Sequence, residues 1–193
     1  MTFDLNAVNS RLVEIWERTR VRRPERVLVN IKPLEEIEKD CGSKFPEEYW
    51  HFMNQYGSIS LDLGNIDTCI VQYSIGGTIR KDWQWIYGIA DSDFVFEYYM
   101  KLSRPHIHYA DLGPMIPPKI VPIGYTADGD EFYLMDLSEE KYGRIWHKGE
   151  GTRATWGTEG NTILGFVAPS FTAFLAGLMT KDEAEQKLAA ESP

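Results

Sequence analysis

The stretch IKPLEEIEKDCGSKFPEEYWHFMNQYGSISL, from Ile31 to Leu61, admits few backbones. Pro33 and Pro46 each suit the first position of a helix, where no amide donor is needed and the fixed φ already fits. Each is followed by acid, Glu35 and Glu36 in one case and Glu47 and Glu48 in the other, where the exposed N–H groups and the positive dipole end favour negative charge. Leu34, Ile37 and Cys41 form one apolar stripe, Gly42 can take a left-handed cap, and Tyr49, Phe52, Met53 and Tyr56 form a second stripe before Gly57. The spacing predicts two short helices packed as a corner.

The rest of the chain surrounds this corner with two kinds of pattern. Leu5, Val8, Leu12, Ile15 and Trp16 recur at helical spacing and predict an amphipathic N-terminal helix ending before Arg22-Arg23-Pro24, with Val27 to Val29 a short strand or a link. From Leu61 the composition turns to β-branched and aromatic residues, and Ile66 to Val71 and Trp83 to Tyr87 read as strands around Gly76-Gly77. Asp93 is placed to cap a helix over Phe94 to Leu102. After a proline-punctuated passage, Ile120 to Tyr125 and Glu131 to Leu137 flank the Asp128-Gly129 turn signal, and Gly143 to His147 supplies another strand. Phe171, Phe174, Leu175 and Leu178 predict a last core helix with Ser170 as its cap, and Thr180 with Glu183 a capping box opening a tail helix. Strands in the middle with helices gathered before and after give an α+β domain with a central, mostly antiparallel twisted sheet.

With 193 residues, 43% hydrophobic and 13% aromatic, one core is expected and a disordered chain is excluded. The segments read as an N-terminal helix and basic link over 1–26, a main domain over 27–179 and a tail helix over 180–193, together one structural domain. The first residues carry acid and no continuous apolar run after a basic start, which argues against a signal peptide, and no stretch is apolar enough for a membrane span. Only Cys41 and Cys69 are present, so a disulfide framework is not expected and the cytoplasm is the expected compartment.

No catalytic or metal-binding pattern in the sequence is complete. His106 and His108 share one face of an extended segment at a spacing zinc can use, but no Cys pair is near, and His51 and His147 fall on other elements. Asp128, Asp130 and Glu139 match three positions of a calcium loop, while Phe132 and Tyr133 occupy positions that require an oxygen ligand and Gly. Gly149-Glu-Gly151 reads as a turn, and Glu47 and Glu48 diverge on a helix, so they read as dipole partners and not an acid/base pair. No cofactor and no catalytic residue is expected. The formal charge of -9 argues against direct nucleic-acid binding despite the arginines from Arg18 to Arg26. It favours a basic protein partner. The residues suited to such a partner are the acids Asp128, Asp130, Glu131, Glu139 and Glu140, expected as one patch at an end of the sheet, and the aromatics Trp83 and Trp85. For the two tryptophans, packing into the core or beneath a helix is the competing reading.

Three segments carry a family resemblance in order and spacing: Phe45-Pro46-Glu47-Glu48-Tyr49 between two helices; PIGYTADGDEFYLMDL followed by GRIWH; and PSFTAFLAGLM from Pro169 to Met179. Together they resemble the SUKH superfamily of Smi/Knr-like domains. The family usually shows an Asn-Gly-Gly turn where this chain has Tyr56-Gly-Ser-Ile-Ser60. On the resemblance, Phe45, Pro46, Glu47, Tyr49, Phe52, Gly57, Phe171, Phe174 and Leu175 are signature residues with structural roles. The resemblance implies a bacterial immunity protein that blocks a cognate polymorphic toxin by direct association, without catalysis. A basic nuclease is the toxin type that the acidic balance fits. A scaffold or regulator binding an endogenous partner is the alternative, and a metal- or ligand-binding enzyme using His106 and His108 ranks below both.

Overall fold

The computed structural model describes residues 2–105, 112–127, 131–149 and 154–191. Among these residues the helices are α1 (Leu5–Arg22), α2 (Lys32–Cys41), α3 (Glu47–Tyr56), α4 (Ser92–Leu102), α5 (Phe171–Ala176) and α6 (Lys181–Glu191). The strands are β1 (Ile59–Ser60), β2 (Thr68–Ile75), β3 (Thr78–Trp85), β4 (Gly88–Ile89), β5 (Ile120–Tyr125), β6 (Phe132–Asp136), β7 (Ile145–Lys148) and β8 (Gly165–Ala168). They pair antiparallel throughout in one sheet of order β1-β4-β5-β6-β7-β8-β2-β3. The α+β class with an antiparallel sheet is as the sequence predicts.

The middle strands are buried on both faces, which explains why they read as apolar runs instead of alternating ones. On β6, Tyr133 and Met135 enter the main core with Val121, Ile123 and Ile145, while Phe132 and Leu134 enter a second, smaller core with Leu102, Met115, Ile116 and Ile120. The main core joins the sheet to α1, α2, α3 and α5 through Leu12, Leu34, Tyr49, Phe52, Phe171 and Phe174. Tyr133 stacks on Phe174 at 5.5 Å between centroids, and its hydroxyl donates to the Trp85 carbonyl at 2.7 Å. At the far edge, Gly76 and Gly77, at φ 57° and 80°, turn β2 into β3 as a tight hairpin.

The predicted corner forms, with Leu34, Ile37, Tyr49, Phe52 and Met53 buried and Gly42 in the left-handed region at φ 66°. Pro33 is the second helical residue and Pro46 the cap itself, one step outside the expected position. Cys41 is half-buried and Cys69 buried, and both are free thiols. Burial pushes the Cys69 thiol up to about 12, against a smaller opposing effect of its hydrogen bond with Tyr133. Gly57, at φ 70°, makes the turn out of α3. A Cβ there would lie 3.0 Å from the Val27 carbonyl oxygen. Gly57→Ala is therefore expected to cost about 1–3 kcal/mol of unfolding free energy, measured by chemical denaturation. No change in the midpoint would contradict this account of the turn.

Several local expectations are corrected. The first helix is kinked at Asn9, whose side-chain amide donates to the Leu175 and Leu178 carbonyls at 3.1 and 3.2 Å. That amide reaches carbonyls in the last turn of α5 and just after it, and the bonding accompanies a break in the helical ladder. Val8 is half-buried as a result, while Leu5, Leu12 and Ile15 remain on the buried stripe. Of the two readings of Val27 to Val29 the link is the one found, with a 3-10 turn over Pro24–Val27 leading into irregular backbone. Asp91, not Asp93, caps α4 by accepting from the Phe94 amide at 2.9 Å. The strands expected at Ile66 to Val71 and Trp83 to Tyr87 are Thr68–Ile75 and Thr78–Trp85; β1, β4 and β8 lie beyond the predicted strands, β1 and β4 because two residues give no readable alternation. The Ser170 cap and the Thr180–Glu183 capping box are both present.

Candidate partner-binding surface

The described residues among those singled out for a partner fall in separate places. Trp83 and Trp85 stand on β3, an edge strand, with rings edge to face at 5.2 Å. Lys181 of α6 lies 4.7 Å from the Trp83 ring centre, so Trp83 is partly covered by the tail helix, while Trp85 is 45% exposed. Glu131 precedes β6, with its carboxylate 3.5 Å from Nε2 of the buried His147. Nδ1 of that imidazole is 2.8 Å from the Tyr73 hydroxyl. Glu139 and Glu140 are exposed in the turn after β6. The five residues of β6 put roughly 17 Å between the two acidic groups, so Glu131 does not share an end of the sheet with Glu139 and Glu140. The physical reason is that one strand separates the two turns. Asp128 and Asp130 lie outside the described residues, as do His106, His108 and most of the Gly149–Gly151 turn.

The basic run near the N-terminus is engaged within the molecule. Arg23 forks onto Asp62 at 2.7 and 3.1 Å, Arg26 donates to the Tyr125 hydroxyl at 2.7 Å, and Arg20 pairs with Glu17 at 2.6 Å. Arg18 donates to the Leu63 carbonyl at 3.0 Å, and Arg11 bonds Glu183 across to α6 at 2.9 Å. Arg11 ties α1 to the tail helix and Arg18 ties it to the segment after β1, Arg23 and Arg26 fasten the link after α1 to Asp62 and to β5, and the Arg20 pair lies within α1.

Acidic and aromatic groups converge at the α2–α3 corner. A cavity of about 600 Å³ opens there, lined by Glu35, Glu38, Glu47, Lys44, Trp50 and Tyr142 above Phe45 and Pro46. Glu38 forms its charged floor. Its side chain is 3% exposed; Oε1 accepts from the Phe45 amide at 2.9 Å and from the Trp50 indole at 2.8 Å, and Oε2 accepts from Lys44 Nζ at 2.6 Å. Burial alone would raise its proton affinity, but these three donors together outweigh that and hold the carboxyl below its ordinary range. Tyr142 comes from the turn between β6 and β7, which is held against the corner where Gly143, at φ 80°, passes Pro46. Burial first, then the Glu38 and Glu47 charges, push the Tyr142 hydroxyl upward, so the phenol stays neutral. Glu140 of the same turn lines a second cleft of about 420 Å³ with Pro117, Pro118, Trp146 and Trp156.

Phe45, Pro46 and Glu47 read as structural from the sequence, and Glu38 is not among the residues expected to meet a partner. The available signal was its position: Glu38 is four residues after Leu34 and three before Cys41, an acid on the stripe that should be apolar. Glu47 is exposed at the groove rim and Phe45 and Pro46 are buried beneath it. Glu48, read as a dipole partner, also accepts from the Phe171 amide at 2.7 Å and from the Thr172 hydroxyl, tying the start of α3 to the start of α5. Among the described residues no three His, Cys, Asp or Glu side chains are grouped to hold a metal ion, and no helix is long and apolar enough to cross a membrane.

The two-helix corner, the antiparallel sheet and the closing helix over its core define a SUKH-type α+β domain. The chain belongs to the SMI1 / KNR4 family (SUKH-1), whose family model matches residues 29–177. That span runs from just before the corner through α5 and leaves α1 and α6 as flanking elements. No curated protein matches the chain.

Proposed function

We propose that this chain is a non-enzymatic immunity protein, acting in the cytoplasm, that neutralises a cognate protein toxin by occupying the toxin's working surface. Its SUKH-1 family membership carries this reading. The charge of -9 and the acidic, aromatic cavity at the α2–α3 corner support a basic partner, a nuclease being the type that fits. The toxin is blocked by contact and charge, and no cofactor takes part. Complementary charge speeds encounter by 10- to about 1,000-fold at low salt, so association is expected to slow steeply as salt is added.

The test is co-expression with the product of the reading frame beside its gene, followed by co-purification. The expected result is a complex that survives size exclusion and cells that tolerate the toxin only when this chain is present. Separate elution together with undiminished toxicity would overturn the proposal.

A further inference from the structure

The carboxylate of Glu38 is buried, yet Oε2 receives its ion-pair partner from Lys44, whose side chain is 81% exposed. A long lysine side chain held in solvent by one contact gives little net stability, because ordering entropy and water competition offset the attraction. The other oxygen is held differently: Oε1 takes the Phe45 amide and the Trp50 indole, both fixed by the fold. One oxygen is therefore fastened by the structure, and the other is met by a movable cation at the mouth of a cavity large enough for a side chain. The walls are Trp50 and the 48% exposed Tyr142, with Glu35 and Glu47 adding negative charge at the rim.

We propose that Lys44 is an internal stand-in, and that the α2–α3 cavity receives an arginine side chain from a basic protein partner, which displaces Lys44 from Glu38 Oε2. Charge complementarity sets the occupant's sign, since three carboxylates face a single lysine. The aromatic walls select arginine over lysine: a planar guanidinium stacks on indole and phenol rings while its fork reaches a carboxylate, whereas an ammonium is a compact, strongly hydrated charge. The inference rests on the binding reading above for the existence of a partner, and it names the chemistry by which that partner is gripped.

The test is a ¹H–¹⁵N NMR titration of the full chain with an acetylated tetra-arginine amide, with the tetra-lysine analogue as comparison. The arginine peptide is expected to move the Trp50 indole and Phe45 amide signals and to bind more tightly than the lysine peptide. Lys44→Ala is expected to tighten arginine binding by roughly two- to fivefold, the worth of an exposed ion pair. Lys39→Ala, which removes the same charge from an exposed position on α2, controls for net charge and should change affinity by less. Unmoved Trp50 and Phe45 signals, or Lys44→Ala binding no more tightly than Lys39→Ala, would overturn the proposal. The titration uses the chain alone, so failure to co-purify with a toxin would count against the immunity role without touching this result. Conversely, a partner that binds Tyr142→Ala as tightly as the parent would refute arginine docking and leave the immunity role standing.

Discussion

Phe171→Ala is expected to lower the melting temperature by on the order of 10 °C. The ring is fully buried and meets Tyr49 and Phe52 at 5.0 Å and Phe3 and Phe174 at 6.3 and 6.4 Å, so it joins the N-terminal segment, the corner helix and the closing helix. Its helix spans only Phe171–Ala176, too short to be stable by itself, and depends on this packing, on the Ser170 cap and on Glu48. Removing such a ring costs about 3–5 kcal/mol through lost burial and the cavity left behind. At this chain length each kcal/mol corresponds to about 2–4 °C. Differential scanning calorimetry measures the shift, and a change of only a degree or two would mean that the aromatic cluster does not hold the domain together.

The second large effect is expected at Glu38. Glu38→Ala removes the acceptor for the buried Phe45 amide and the Trp50 indole, and about 1–3 kcal/mol per orphaned donor gives a loss of roughly 2–6 kcal/mol near neutral pH. The same residue sets a pH dependence. Its carboxyl is held below its ordinary 4.5 in the folded chain, with burial opposing and the Lys44, Phe45 and Trp50 donors prevailing. The unfolded chain therefore binds the proton more readily, so the stabilisation from ionised Glu38 is present above 4.5 and is lost as pH falls through the folded value. Urea titrations of parent and Glu38→Ala at a series of pH values should show the gap between them narrowing below pH 4.5. A gap that stays constant or widens on acidification would show that the carboxylate is not stabilised in its ionised form.

The sequence was legible wherever local chemistry and tertiary packing agreed. Pro33, Gly42, Pro46 and Gly57 bracket the corner helices because fixed or positive φ values leave little choice, and the Thr180–Glu183 box works within a single turn. What was not legible depended on distant partners. Asn9 breaks α1 in the presence of the Leu175 and Leu178 carbonyls, far along the chain. β1 and β4 exist only as short pairings on the sheet edge. The acidic residues of the partner reading were grouped by closeness in sequence, but Glu131 and Glu139 sit at opposite ends of β6. The groove was hidden for the converse reason: Glu38, Glu47 and Tyr142 are separated in the chain and meet only because the turn after β6 is packed against Pro46.

The most direct measurement is a titration of the partner toxin's activity with increasing amounts of this chain, repeated at several incubation times. Stoichiometric association predicts activity falling in a straight line to an equivalence point that does not move with time. Loss of toxin activity at substoichiometric amounts, growing as incubation lengthens, would show that the chain turns over a substrate and would contradict the account, as would a toxin left fully active by an excess of the chain.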